Sequence, residues 1–533
     1  MPSTSYLSRA ASPLKTPQSE PIPGSSQVEN RAGGFAWEIS SMDRLRRFLI
    51  LGSEGGTYYA TERNLTRQNI DGVKLALDEN GVAAVQEIIN ISTDGRAPKN
   101  DPALYALAIA CAHSDENVRK AALYAIPRVA RTGTHLFHFA EFVQTQRGWG
   151  RALKSGIASW YEQDEDKLAY QVVKYRQRDG WTHRDLLRLA HPEAISPTHA
   201  SIFNWLCNRD NDSVLPITIK AFKYAQASDS FHETANLIKK YGNKLPREAL
   251  NTEHLNSGEV WEALLYEGMP LTAMIRNLAT MTRIEVLKPM SKGTSYVIEK
   301  LSDQEYIHKS KVHPLSILGA LATYSSGHSA RGISSWTPLR EIIDSLNKAF
   351  YISFKNIKPT NKRTLLALDV SGSMTFGDIG GMPGIDPRIG SAAMALVTAS
   401  TEPNYHIVGF SHELIPLSIS PNERLDDVIS NISGLPFGRT DCAQPMIYAL
   451  NNKLEIDTFC IYTDNETYFG NIHPMQALYE YRRISGINSK LVIIGMTADK
   501  FSIADPNDSG SLDVIGFDTA TPQVIADFSA DRF

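Results

Sequence analysis

Cysteine is scarce. Four residues, Cys111, Cys207, Cys442 and Cys460, stand far apart in a chain of 533, with no CxxC and no paired spacing. That excludes a disulfide framework and a cysteine-based zinc site, and it points to reduced thiols in a cytosolic chain. Long apolar runs are also missing: none approaches the roughly 18 consecutive residues of a membrane span. The amino-terminal stretch, rich in Ser and Pro (SPLKTPQSEPIPGSS), lacks the apolar core of a secretory signal and reads as a flexible tail over residues 1–32. Catalytic signatures are absent as well. There is no HExxH and no GxSxG, and the glycine-rich LGSEGGTYY (Leu51 to Tyr59) lacks the Lys-Ser/Thr pair of a phosphate loop. The expectation is a soluble, cytoplasmic, monomeric protein without enzymatic activity.

What is present is enough to build a large core, with 42% hydrophobic and 21% charged residues. The net charge of −4 conceals a division, because residues 356–533 hold 12 Lys and Arg against 21 Asp and Glu. The preceding residues hold 42 against 37, so a mildly basic front is joined to an acidic back. Such asymmetry hints at nucleic-acid contact in the basic part.

The hydrophobic pattern divides at the same place. From Trp37 to Phe350, stretches such as MDRLRRFLIL, PALYALAIACA, NVRKAALYAIPRVA and HPLSILGALATY repeat a helical stripe with short polar breaks. Many amphipathic helices in pairs, with no single apolar helix to centre a bundle, predict a HEAT-like helical repeat over residues 33–358. After Lys362 the period changes to short, wholly apolar runs, TLLALDV, YHIVGFS, DTFCIYT and KLVIIGMT, alternating with helix candidates. That is the pattern of a parallel sheet covered on both faces, so residues 359–533 are read as a doubly wound, Rossmann-like α/β domain.

Ligands of open α/β sheets bind beyond the carboxyl ends of the strands. Asp369, Ser371 and Ser373 follow the first strand there, Thr440 lies in the loop GRTDC, and Asp464 ends DTFCIYT. Two carboxylates and three hydroxyls form an all-oxygen set suited to a hard cation such as Mg²⁺. A cation left under-neutralised by hydroxyl ligands would accept a carboxylate or phosphate from a partner. Asp441 stands close enough to compete with Asp464 for the second carboxylate role. The same DxSxS also fits a simple turn capping the next helix; its place after a buried strand favours the metal reading.

In the helical part, KLAYQVVKYRQRDGWTHRDLLRLAH (Lys167 to His191) concentrates cations. Lys167, Lys174 and Arg178 are spaced to share one helix face, and Arg184, Arg188 and His191 line a stripe on a second helix beginning near Thr182. Tyr175, Trp181 and His183 lie beside them, and guanidinium groups both fork phosphate oxygens and stack on bases. Arg128, Arg131, Arg147, Arg151 and Lys154 extend the surface. Trp149, Trp160 and Trp181 are read as core residues. The alternative is a solvated face whose charges pair with one another.

The metal motif resembles the metal-ion-dependent adhesion site of von Willebrand factor A domains, with Asn465 where many such domains carry Gly. More broadly, FLILGSEGGTYY, WGRALKSGIASWY, KYRQRDGWTHRDLLRLAH, MPLTAMIRNL, LDVSGSM, GRTDC, YTDNET and GMTADKFSIADP together resemble the Ro ribonucleoprotein autoantigen family from Gly34 to the carboxyl terminus. The resemblance implies a TROVE ring of HEAT-like repeats joined to a von Willebrand factor A domain. It further implies Y RNA bound on the outer surface, and 3′ ends of misfolded non-coding RNA held in the hole for RNA quality control and stress survival. Lys174, Arg178 and His191 match family positions implicated in RNA contact. Residues 192–253 match weakly. A bacterial member would be expected to work with a 3′ exoribonuclease tethered by Y RNA. The competing expectation is a metal-dependent adhesion module that captures a carboxylate-bearing protein without any RNA function.

Overall fold

The structure is a computed structural model that describes residues 15–209, 214–329, 333–354, 359–379, 384–417, 419–420, 423–435 and 438–532. Its helical part begins with α1 (Ser41–Leu51), α2 (Glu62–Asp94), α3 (Asp101–Cys111), α4 (Glu116–Val129), α5 (Gly133–Gln146), α6 (Arg151–Ala158), α7 (Glu165–Lys174) and α8 (His183–Ala190). Local chemistry sets the boundaries. Ser40, Thr61, Asp115 and Thr182 each accept a backbone N–H as N-caps, and α2 stops at Gly95 in the left-handed region. Further helices continue to Arg340–Ser353. The array then returns to its start: Lys311 Nζ donates to the Thr93 carbonyl at 3.1 Å, and His313 Nε2 lies 3.1 Å from the Arg96 carbonyl.

Four short strands precede the main sheet in the chain: β1 (Val28–Glu29), β2 (Phe35–Glu38), β3 (Gln177–Arg178) and β4 (Trp181–Thr182). The carboxy-terminal domain contributes β5 (Thr364–Asp369), β6 (Tyr405–Phe410), β7 (Leu414–Pro416), β8 (Thr458–Thr463), β9 (Lys490–Gly495), β10 (Phe501–Ser502) and β11 (Ser511–Ile515). Six of these form one sheet in the order β11-β9-β8-β5-β6-β7, parallel except for β7 at the edge. Every residue of β5, β8 and β9 is buried, as expected when helices cover both faces.

The expectation of a flexible tail over residues 1–32 does not hold for residues 15–32; residues 1–14 lie outside the described residues. β1 pairs with β2, which pairs with β10, and Gln18 is fully buried against the α/β domain. The Gln18 amide donates to Asp441 Oδ1 at 2.6 Å and to the Ile472 carbonyl at 2.9 Å, and it accepts from the Thr467 hydroxyl. Polar contacts to a distant segment hold this strap, and composition is blind to those.

Charge joins the two parts. Arg47, 1% exposed, donates from one guanidinium nitrogen to both Asp513 oxygens (2.6 and 2.7 Å) and from another to the carbonyls of Asp499 and Phe501 (2.8 Å each). Gly495 makes the approach possible, since a Cβ there would lie 2.9 Å from the guanidinium carbon. Arg96 pairs with Asp518, and His313 reaches the Phe517 carbonyl at 2.9 Å.

Candidate metal centre and nucleic-acid interface

β5 and β8 are parallel neighbours, so the residues leaving their carboxyl ends emerge side by side. Asp369, Ser371, Ser373, Thr440 and Asp464 are all buried at this edge. The Ser371 amide donates to Asp369 Oδ1 at 2.9 Å, the Thr463 hydroxyl donates to Asp369 Oδ2 at 2.8 Å, and the Ser371 and Ser373 hydroxyls stand 3.1 Å apart. Asp464 Oδ1 accepts from the Glu466 amide at 3.1 Å, and the Ser373 hydroxyl also reaches this carboxylate. Burial, then the nearby Asp369 charge, pushes the Asp464 carboxyl up to about 7. Burial likewise raises Asp369, opposed by its hydroxyl and amide donors and the Arg388 charge. Two desolvated carboxylates that repel each other, ringed by hydroxyl oxygens, form a donor set that fits a hard divalent cation. Among the described residues no group of three or more His, Cys, Asp or Glu gathers as a metal site.

Both oxygens of Asp441 already have donors. Its Oδ1 accepts from Gln18 and from the Ala443 amide, and its Oδ2 accepts from Gln444 at 2.7 Å. Asn465 has φ +64°, the left-handed conformation that Gly adopts freely and Asn tolerates best among side-chain-bearing residues. Sequence reasoning missed Thr463, whose hydroxyl orients Asp369. It also missed the buried group Glu466, Asp499 and Arg31, in which Arg31 pairs with Asp499 and its amide donates to Glu466 at 2.8 Å. Arg31 lay in the supposed tail, so no linear spacing revealed it.

The basic region differs from expectation in one local respect. α7 ends at Lys174, so Arg178 is not on that helix but on the β3–β4 hairpin. Asp179 and Gly180, at φ +50° and +80°, form its two-residue turn, and Asp-Gly is a hairpin signal the helical reading overlooked. Asp179 lies 3.1 Å from His138 Nε2; His138 is raised above the usual imidazole range chiefly by its hydrogen bond to Asp101. α4 packs on α6 and α6 on α8, which gathers the predicted cations on adjoining elements. Arg128, Arg131, Arg151, Arg178, Arg188 and His191 are exposed, whereas Lys174 and Arg184 are half-buried. Lys174 Nζ lies 5.4 Å from the ring centres of both Tyr170 and Tyr175.

Two flanking groups serve the core instead. His183 is buried against Trp160, accepts or donates at Tyr161 Oη (3.0 Å), and is depressed by burial to about 3, so it offers phosphate no charge. Trp160 is buried, while Trp149 and Trp181 are half-buried and pack on each other with ring centres 5.6 Å apart. The start of α8 is closed by a capping box between Thr182 and Asp185. No helix among the described residues is long and apolar enough to cross a membrane.

Comparison with known proteins agrees with this architecture. The TROVE domain model matches residues 28–239 and 240–323, and the Ro60 vWA domain model matches residues 363–529. The RNA-binding protein RO60 of Deinococcus radiodurans is 41% identical, over 98% of this chain and 99% of its own length. The RNA-binding protein RO60 of Caenorhabditis elegans is 36% identical, over 94% of this chain and 90% of its own. The crystal structure of the D. radiodurans Ro protein superposes with a TM-score of 0.70 at 40% identity, covering 93% of this chain and all of that one. With both domain models matched in order and full-length identity of this degree, the chain belongs to the Ro60 family.

Proposed function

We propose that this protein is a non-enzymatic RNA-binding scaffold that takes a structured small non-coding RNA of the Y RNA kind on the cationic surface of α4, α6, the β3–β4 hairpin and α8. One observation carries the reading: among the described residues, Arg128, Arg131, Arg151, Arg188 and His191 make no ion pair, although Arg178 beside them stands 3.7 Å from Asp179 and cations at the domain junction are paired with carboxylates. A merely solvated face would be expected to pair its charges, whereas unpaired guanidinium groups on adjoining elements are available to phosphate oxygens. The relatives' names as RNA-binding proteins support the same reading. The returning helical array supports the further reading that single-stranded 3′ ends of misfolded RNA enter its centre, in RNA quality control and stress response. A 3′ exoribonuclease recruited through the bound RNA is the expected partner.

The α/β domain would hold Mg²⁺ through Asp369, Ser371, Ser373, Thr440 and Asp464 and present an open position to a carboxylate of a protein ligand. When bound, the cation supplies electrostatic attachment for that ligand. Filter binding tests the RNA reading with a structured small RNA and a duplex bearing a 3′ overhang. Lys174→Ala combined with Arg178→Ala should weaken the structured RNA markedly in low salt. Unchanged affinity for both RNAs would place binding elsewhere, and no binding by the unaltered protein would leave metal-dependent protein capture as the function.

A further inference from the structure

The β3–β4 hairpin is too short to hold its own position. Gln177 pairs with Thr182 and Arg178 with Trp181, and an isolated two-stranded ribbon of this kind is marginal in water. Side chains fix it to α5 instead. Trp181 Nε1 donates to Glu141 Oε2 at 2.9 Å, and at the turn Asp179 Oδ2 lies 3.1 Å from His138 Nε2. The other ring nitrogen of His138, Nδ1, lies 2.5 Å from Asp101 Oδ1 at the start of α3. A carboxylate only accepts, so an imidazole bonded to one at each nitrogen donates from both and carries a positive charge. The other charges nearby have their own places. Lys99, close to Asp101, pairs with Glu54, and Lys174 of α7 lies against Tyr170 and Tyr175. His135, one turn back on α5 and near the exposed Arg131, is depressed by burial to about 4 and is neutral. From the hairpin, Arg178 Nε stands 3.7 Å from Asp179 Oδ1, so the Asp179 carboxylate lies between two cations.

Resting on the RNA reading above, we infer that His138 is a positioning residue for the cationic surface: by holding the Asp179 carboxylate, it leaves the Arg178 guanidinium to an RNA phosphate. The side chain of Arg178 is 60% exposed and that of His138 17%, so phosphate has access to the guanidinium while the imidazole is largely covered. Without its charge, His138 has a single N–H for two carboxylates. Asp179 then turns to Arg178, and a phosphate must displace it. Hydrogen bonding to Asp101, against the effect of burial, raises His138 above its ordinary value of about 6.5. The clamp is therefore closed at and below that ordinary value and is released as pH rises through the raised one.

Filter binding of a structured small RNA between about pH 6 and 8.5 tests the inference with His138→Gln, Asp179→Asn and the two combined. Asn-Gly preserves the turn chemistry of the hairpin. His138→Gln should bind about three- to fivefold weaker at the acid end and should lose a pH step that the parent shows. Asp179→Asn should bind tighter than the parent at the alkaline end, and the double variant should regain the affinity that His138→Gln lost. His191 lies on the same surface, so the difference between parent and variants, rather than the parent profile alone, reads His138. A purely structural anchor gives the opposite pattern: Asp179→Asn as weak as His138→Gln, with no recovery in the double variant. That pattern, or equal affinities and pH profiles in all four proteins, would overturn the role of His138 while leaving RNA binding in place. Failure of the unaltered protein to bind the RNA at any pH would overturn both readings together.

Discussion

Replacing Arg47 with Met tests whether the two domains are held by a desolvated charge pair. Methionine retains the length of the side chain and removes two hydrogen bonds to Asp513 and two to carbonyls of the α/β domain. Asp513, 17% exposed, would then be a nearly buried carboxylate without its counter-charge. Breaking such a pair from one side costs about 3–5 kcal/mol. Unfolding entropy is about 2.1 cal/mol/K per residue. If the whole chain melts as one unit, the cost therefore lowers Tm by about 3–5 °C. If the α/β domain of residues 363–529 melts alone, the same cost lowers its Tm by about 8–14 °C. Differential scanning calorimetry separates the cases by the number of transitions. Arg47→Met with Asp513→Leu should recover much of the loss, because no orphaned charge remains. A single variant within about 1 kcal/mol of the parent, or a double variant as costly as both singles added, would refute the pairing as the source of domain attachment.

The buried imidazoles should withdraw stability on acidification below about pH 6.5, while the raised Asp464 carboxyl, which takes up a proton in the folded protein over the same range, works the other way. Burial holds His183 at about 3 and His135 and His313 at about 4, so the unfolded chain takes up protons that the folded chain refuses. Each imidazole should forfeit roughly 2 kcal/mol by pH 4.5, so a His313→Gln variant should lack that share of the loss, and urea titrations in which its stability changes between pH 7 and 4.5 just as the parent's does would contradict this. Millimolar Mg²⁺ should raise the melting temperature of the α/β domain, and Asp369→Ala should abolish that shift while RNA affinity survives; a shift that persists in the variant would remove Asp369 from the site. Asn465→Gly should be free of backbone strain at φ +64° but should lose the bond that Asn465 Oδ1 accepts from the Ile503 amide at 3.2 Å, at about 1–3 kcal/mol, and Asn465→Val should cost on the order of 1–2 kcal/mol more by chemical denaturation.

The two-part fold was legible because its periods differ: wholly apolar runs marked β5, β6, β8 and β9, and 3.6-residue stripes marked the helices. That Asp369, Ser371, Ser373 and Asp464 stand together was legible because they leave adjacent parallel strands at the same edge. What linear reading missed depends on partners distant in sequence. Gln18 and Arg31 are ordered by residues more than four hundred positions away. The charge asymmetry had two meanings that composition alone does not separate. Arg31, Arg47 and Arg96 use part of the basic excess to neutralise acidic residues of the other domain. Only the structure shows that Arg128, Arg131, Arg151 and Arg188 are not used in that way. The hairpin at Asp179 and Gly180 was a misjudged period, since a continuous helix placed Arg178 above Lys174 when a turn in fact carries it away.

The salt dependence of binding to a structured small RNA, measured for the unaltered protein and for Arg128, Arg131, Arg151 and Arg188 changed together to Gln, tests the account most directly. The plot of log K against log salt concentration should be steep for the parent, and its slope should flatten by up to about 0.9 for each lost phosphate contact, with a large drop in low-salt affinity. An unchanged slope and affinity in the fourfold variant would contradict the claim that this unpaired cationic surface is where the RNA lies.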